Sequence, residues 1–177
     1  MLDKKTEQNR NREQGFTLVE LLVAGAVIAT IASVIFLNAG TFRGVQKLNQ
    51  AAQQLALDLR RAQNLSLAPS DSPICVYGVY MNSASEYFVY KNTTDEEIAP
   101  CTHQYDSAQE PDATVATTNL PGGITISSLA SDVSFEAPEP VTYVDGALAS
   151  TAVIFTLSSA SGSKNIVVNR FGNVEIQ

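Results

Sequence analysis

The sequence of apolar and polar positions divides the chain into four stretches. Residues 1–15 are polar and of mixed charge and end in Gly15; Phe16 to Phe42 then gives 27 residues of which Glu20 alone is charged. An apolar run of that length reads as a bilayer-spanning helix. Beyond Arg43 the pattern becomes amphipathic. Leu48, Ala52, Leu55, Leu59 and Ala62 recur at steps of three and four, while Gln46, Lys47, Gln50, Gln53, Gln54, Asp58, Arg60 and Arg61 fall mostly on the other faces. The spacing predicts one helix continuing to about Leu67, where Pro69 and the turn chemistry of Ser70-Asp71-Ser72-Pro73 stop it. Unbroken from Phe16, such a helix is about 78 Å long, far larger than the domain behind it, so its first half needs lipid or other helices as a neighbour. Gly25, Gly40 and Gly44 each cost about 1 kcal/mol relative to Ala. Bending is expected to be easiest from Gly40 to Gly44, unless the glycines serve close helix packing in the membrane instead.

After Pro73 the period changes from helical to alternating. Ile74–Met81 and Glu86–Lys91 form a candidate hairpin around Asn82-Ser83-Ala84-Ser85, and residues 92–121 read as a long polar loop with a short strand near Val115. Further strands are expected at Ile124–Leu129, Val133–Glu136, Val141–Val144, Ala152–Leu157, Ile166–Asn169 and Val174–Ile176, with turns at Ser158–Ser163 and Phe171-Gly172-Asn173. The expectation is an α+β protein in which a long N-terminal helix lies on a small antiparallel sheet or sandwich of residues 69–177. Leu48, Leu55 and Leu59 supply the helix side of its core. Roughly 110 residues from Pro69 onward suffice for one small domain.

Two features set the apolar run apart. Glu20 places a carboxylate inside a spanning segment, which costs on the order of 3 kcal/mol if unpaired and marks a functional group unless it lies close enough to the interface to stay wet. The second is the junction at Gly15. A secretory signal carries its small residues after the apolar stretch and loses that stretch on cleavage. Here the small residue precedes it, so cleavage at Gly15 would leave the hydrophobic segment at the new N-terminus. The fresh α-amino group on Phe16 is then a candidate partner for Glu20.

Gly15-Phe16-Thr17-Leu18-Val19-Glu20-Leu21-Leu22-Val23 resembles the class III signal of type IV prepilins and type II secretion pseudopilins. The resemblance implies cleavage between Gly15 and Phe16 by a prepilin peptidase, N-methylation of Phe16, and neutralisation of a neighbouring subunit's N-terminal amine by Glu20 during assembly. The helix around Leu55-Ala56-Leu57-Asp58-Leu59-Arg60-Arg61-Ala62-Gln63, the β region after it and the closing Arg170-Phe171-Gly172-Asn173-Val174 are similar to the GspH/FimT-like minor pseudopilins. The domains so implied are a leader (1–15), a transmembrane assembly helix (16–42), its amphipathic continuation (43–68) and an exported β domain (69–177). The run lacks the proline that many pilins carry in this helix. Implied partners are other pilins or pseudopilins, the peptidase and an inner-membrane assembly platform, in a type IV pilus or a type II secretion pseudopilus. The rival from another class is a membrane-anchored or filament-tip binding module, an adhesin or DNA-uptake receptor.

Charge and rare residues narrow this further. Of 11 Lys and Arg and 18 Asp and Glu, residues 1–15 hold four and three, which leaves 7 against 15 in the remainder. So acidic a chain disfavours nucleic acid, and Arg170 is the only basic residue after Lys164. The basic leader, followed beyond the span by Arg43 and Lys47, predicts a cytoplasmic N-terminus and an exported C-terminal domain at the inner membrane. Cys75 and Cys101 both lie in the exported part, where oxidation favours a disulfide; free thiols or half a metal site are the other readings. A single His, His103, and the lack of a CxxC argue against zinc. No cofactor motif or catalytic constellation is present, so a non-enzymatic subunit is expected. His103 reads as a solvated loop residue, and Tyr77, Tyr80, Tyr87 and Tyr90 read as core and cross-strand pairs. Asn92-Thr93-Thr94 matches a glycosylation sequon.

Overall fold

The computed structural model describes residues 16–68, 74–93, 102–106, 113–136 and 141–177. The chain falls into two units, Met1–Gly40 and Thr41–Gln177. One helix, α1, spans Leu18–Leu67. In the first unit its described side chains are exposed from residue 18 to Phe36, and Leu18–Phe36 is long and apolar enough to cross a membrane. The hydroxyls of Thr30 and Ser33 donate to the carbonyls of Val27 and Ala29, both at 2.8 Å, so neither needs a partner from outside the helix.

In the second unit α1 buries a stripe made of Leu48, Ala51, Ala52, Leu55, Ala56, Leu59 and Ala62. The leucines fill the core and the alanines let the sheets approach. The buried Ser66 hydroxyl donates to the Gln63 carbonyl at 2.7 Å, so its own hydrogen finds a partner within the last turn of the helix.

Among the described residues ten strands follow: β1 (Ile74–Ser83), β2 (Glu86–Thr93), β3 (Ala113–Asn119), β4 (Ile124–Ser128), β5 (Asp132–Glu136), β6 (Thr142–Val144), β7 (Ala147–Leu148), β8 (Val153–Ser159), β9 (Gly162–Val168) and β10 (Val174–Ile176). They form a six-stranded sheet in the order β3-β2-β1-β5-β6-β7 and a four-stranded sheet in the order β10-β9-β8-β4. Every pairing is antiparallel. The expected hairpin is present, with its turn at Ala84 and Ser85. The polar stretch expected as a loop holds all of β3, a full strand paired along β2.

Tyr77, Val79, Tyr87, Val89, Val133 and Phe135 from the first sheet and Phe155, Leu157, Ile166 and Val168 from the second meet the α1 stripe in one core. The register of β1 on β2 shifts between Ile74 and Val76, leaving Cys75 as an extra residue. Ile74 therefore joins the helix-side core, while Cys75 and Val76 join Phe88 and Tyr90 in a separate cluster. Tyr90 pairs with Gly78, and a Cβ on Gly78 would come within 2.5 Å of the Tyr90 ring. The ring can occupy that place only because position 78 has no side chain.

Between β6 and β7, Asp145 (φ 47°) and Gly146 (φ 80°) make a two-residue turn with positive φ at both centres. This short return was not among the expected strands. Gly44, expected as a place to bend, lies in α1 against the β8–β9 turn, where a Cβ would fall 2.1 Å from the Ser161 hydroxyl oxygen. Packing on this turn, rather than a bend or helix packing in the membrane, accounts for Gly44.

Candidate assembly site at the helix N-terminus

Phe16 and Thr17 precede α1, and Phe16 is exposed. Thr17 begins the helix: its carbonyl accepts from the Leu21 amide at 3.2 Å, and its hydroxyl accepts from the Glu20 amide at 3.2 Å. This is the N-cap geometry, with Glu20 at the third helical position, where the partial positive charge of the helix end favours a carboxylate. The Thr-x-x-Glu spacing of a capping box was readable in the sequence but was absorbed there into the longer motif. Glu20 is exposed, as is every described side chain from Phe16 to Phe36. One turn thus holds Phe16, Thr17 and Glu20 together at the start of an apolar, unburied helix. Gly15 lies outside the described residues.

The other expected site residues are in the second unit. Cys75 is buried, and no cysteine is free among the described residues; Cys101 lies outside them. His103 is not solvated. Its ring stacks on Tyr143 with centroids 3.8 Å apart, its Nε2 lies 3.8 Å from Glu136 Oε1, and the Ser134 hydroxyl donates to its carbonyl at 2.6 Å. The segment 102–106 is laid along the sheet, which is why a residue read as solvated is half-buried. The Thr102 carbonyl and hydroxyl accept from the Asn92 amide at 2.9 and 2.7 Å. Asn92 is buried, so the sequon offers no accessible acceptor in the folded domain. Tyr77, Tyr87 and Tyr90 are core residues as expected, and Tyr80 packs with Phe88 and Tyr105 at centroid distances of 5.2 and 4.9 Å.

Sequence reasoning missed two buried carboxylates. Asp58 accepts from the Tyr87 hydroxyl at 2.8 Å, and Asp132 accepts from the Tyr90 hydroxyl at 2.9 Å and from the Tyr105 amide. Burial first, and then the charge and hydrogen bond of Asp58, raise the Tyr87 pKa, with the Thr118 hydroxyl acting the other way. Both carboxylates are structural struts. Among the described residues no group of three or more His, Cys, Asp or Glu is arranged to hold a metal.

Residues 10–36 match the prokaryotic N-terminal methylation motif. That motif runs into an exposed apolar helix ahead of a helix-on-sheet domain, an arrangement similar to that of type IV pilins. Its fold is similar to that of the type IV minor pilin FimU of Pseudomonas aeruginosa strain PAO1. Against one crystal form the TM-score is 0.52 at 11% identity over 77% of this chain and 92% of that one. Against a second form it is 0.50 at 10% identity over 73% and 92%. At such identities the likeness concerns the fold. Among curated proteins no match was found.

Proposed function

We propose that the chain is a non-enzymatic minor pilin or pseudopilin that is stored in the inner membrane, loses residues 1–15, and then assembles into or primes a type IV pilus or a type II secretion pseudopilus. The observation that carries this reading is the exposed apolar helix Leu18–Phe36, which opens on a capped turn holding one carboxylate. Such a surface is stable in lipid or against like helices, and a protein that must pass from one to the other is an assembly subunit. The N-terminus stays cytoplasmic and the β domain is exported. The processing site is Gly15/Phe16, with methylation at Phe16, and the assembly group is Glu20. Cys75 and Cys101 form a disulfide in the exported domain. Partners are other pilins or pseudopilins, the prepilin peptidase and the assembly platform.

The test is N-terminal mass spectrometry of the membrane-extracted chain from peptidase-competent cells, together with immunoblotting of sheared filaments. A mature N-methylated Phe16 and chain in the filament fraction are expected. Intact residues 1–15 in such cells would overturn the reading.

A further inference from the structure

The second half of α1 segregates charge. From residue 43 to 67 its only acidic residue, Asp58, is buried, whereas Arg43, Lys47, Arg60 and Arg61 are all exposed. Four of the seven Lys and Arg that follow residue 15 thus lie on the outward side of one helix. Among the described residues none of the four meets a carboxylate, and Arg60 donates to the Val174 carbonyl at 2.8 Å. A solvated helix face ordinarily mixes both signs; this one carries a single sign in a chain of formal net −7.

The opposite sign lies on the far side of the six-stranded sheet. Tyr77, Val79, Tyr87, Val89, Val133 and Phe135 meet α1, so alternation turns Phe88, Tyr90 and Ser134 the other way, and the segment 102–106 rests on them. Glu86 and Glu136 share this outer face by the same alternation, and Asp106 joins it at the end of the segment. None of the positions of β1, β2, β5 and β6 that alternate with the core residues is Lys or Arg. Residues 92–163 as a whole hold ten Asp and Glu and no Lys or Arg.

The spacings agree as well as the signs. Lys47 and Arg61 are about 21 Å apart along the helix, and Arg43 and Arg60 about 26 Å. On the sheet, Glu136 stands level with Val76 and Glu86 level with Ser83, a separation along β1 of about 23 Å. Asp106 falls between them, because the neighbouring Tyr105 amide donates to Asp132, which pairs with Tyr80. A helix face about 37 Å long and about 10 Å wide covers roughly 400 Å², about half of what each partner gives to a standard interface. Such a contact is weak alone and suits chains already concentrated in one membrane.

We propose that copies of this chain associate head to tail, the basic face of α1 in one copy lying on the outer face of the six-stranded sheet in the next. The two cation pairs, Arg43 with Lys47 and Arg60 with Arg61, stand opposite Glu136 and Glu86. The two surfaces lie on different sides of the domain, so each contact leaves one of each kind free and the association repeats from copy to copy instead of closing. This deepens the filament reading and rests on it.

The test uses full-length chain in uncharged detergent, half of it isotopically labelled. A carbodiimide, which joins amines directly to carboxylates, is expected to link Lys47 of one copy to Glu86 or Glu136 of another, seen by mass spectrometry as mixed-label peptides. The pair Lys47→Glu with Arg61→Glu is expected to weaken self-association about tenfold, the order for two surface ion pairs turned repulsive. Adding Glu86→Lys and Glu136→Lys to the same chain reverses both surfaces at unchanged net charge and should restore parental association. Thermal melts accompany each variant. The helix pair should melt as the parent does, and if the four-site variant, which loses the Tyr143 hydrogen bond to Glu136, melts early, the helix pair and the cross-link decide. Parental association of the helix pair, a folded four-site variant no better than that pair, or mixed-label links that avoid Glu86 and Glu136 would each overturn the proposal. So would a loss confined to vesicles containing phosphatidylglycerol, which would assign the face to lipid headgroups. The detergent measurement needs neither leader cleavage nor filaments, so intact residues 1–15 in peptidase-competent cells would sink the filament reading separately.

Discussion

Tyr87 donates its hydroxyl hydrogen to Asp58 at 2.8 Å, joining the six-stranded sheet to α1 inside the core. Gln54 Nε2 reaches both carboxylate oxygens of Asp58 at 3.2 Å, and the Thr118 hydroxyl reaches one at 3.4 Å. Removing the acceptor leaves a buried hydroxyl without its partner, which costs about 1–3 kcal/mol, whereas removing the donor leaves a carboxylate that still has other partners. Asp58→Ala is therefore expected to destabilise the β domain by about 2 kcal/mol and Tyr87→Phe by about 1 kcal/mol, with the double variant losing less than the sum. Denaturant melts of the four proteins form the cycle, and strict additivity would show that the two residues are not coupled.

The same contact has an alkaline signature. Burial foremost, then Asp58, raises the Tyr87 pKa above its ordinary value of 10.0, so the unfolded chain releases this proton at lower pH than the folded one. The contribution of protonated Tyr87 is complete below pH 10 and is lost as pH rises beyond it. Tyr143 shifts the same way through its hydrogen bond to Glu136, but it is more exposed. Stability measured from about pH 9 to about pH 12 should decline less steeply in Tyr87→Phe than in the parent protein. Parallel curves would mean that Tyr87 titrates alike in both states.

Gly78→Ala sets a methyl group against the Tyr90 ring on a strand buried on both faces. Overpacking of this kind costs about 2 kcal/mol. Tyr90→Leu removes the ring that blocks position 78 and should make the alanine nearly harmless there. Thermal melts of the single and double variants decide it, and an equal penalty in both backgrounds would dismiss the clash.

The proposed Cys75–Cys101 bridge closes a loop of about 25 residues, worth about 3 kcal/mol. Thiol labelling of exported protein under denaturing, non-reducing conditions should find no free sulfhydryl. Two labelled thiols per chain would refute the bridge. Reduction is expected to lower the melting temperature by a shift that Cys75→Ala reproduces.

Much of this architecture was legible because apolar spacing reports burial directly. The helix stripe from Leu48 to Ala62 is buried as its spacing requires, and each strand expected by alternation is present. What was missed lacked an apolar signal. The two-residue strand Ala147–Leu148 is held by its turn, and the Asp145-Gly146 pair was the cue, overlooked because no hydrophobic run accompanies it. β3 was expected only as a short strand near Val115, and its full length went unread because Thr, Ala and Val on a sheet edge read as loop until a partner strand is supplied. His103 looked solvated because only the fold lays segment 102–106 over Tyr143 and Ser134. At the candidate assembly site the residues were readable, and the Thr17 cap was overlooked only because its Thr-x-x-Glu spacing lies inside the longer motif.

Glu20 allows the sharpest test of the proposed assembly step. Glutamine at this position keeps the size, the helix propensity and one carbonyl acceptor while removing the charge, so comparing it with alanine separates charge from shape. If Glu20 serves only as a polar group beside the Thr17 cap, Glu20→Gln should enter filaments as the parent does. If it neutralises the Phe16 ammonium of a neighbouring subunit, either substitution leaves a positive charge unpaired among apolar helices, at about 3–5 kcal/mol. A loss of that size corresponds to more than a hundredfold in an assembly equilibrium. The exposed apolar surface of Leu18–Phe36, long and apolar enough to cross a membrane, is unaltered by either change, and the proposed processing site at Gly15 and Phe16 remains intact. We therefore predict that Glu20→Gln and Glu20→Ala both abolish or strongly reduce incorporation into sheared filaments, while leader cleavage and membrane insertion stay near parental levels. Parental incorporation of Glu20→Gln would show that the charge is not used, and the pairing with Phe16 would have to be abandoned.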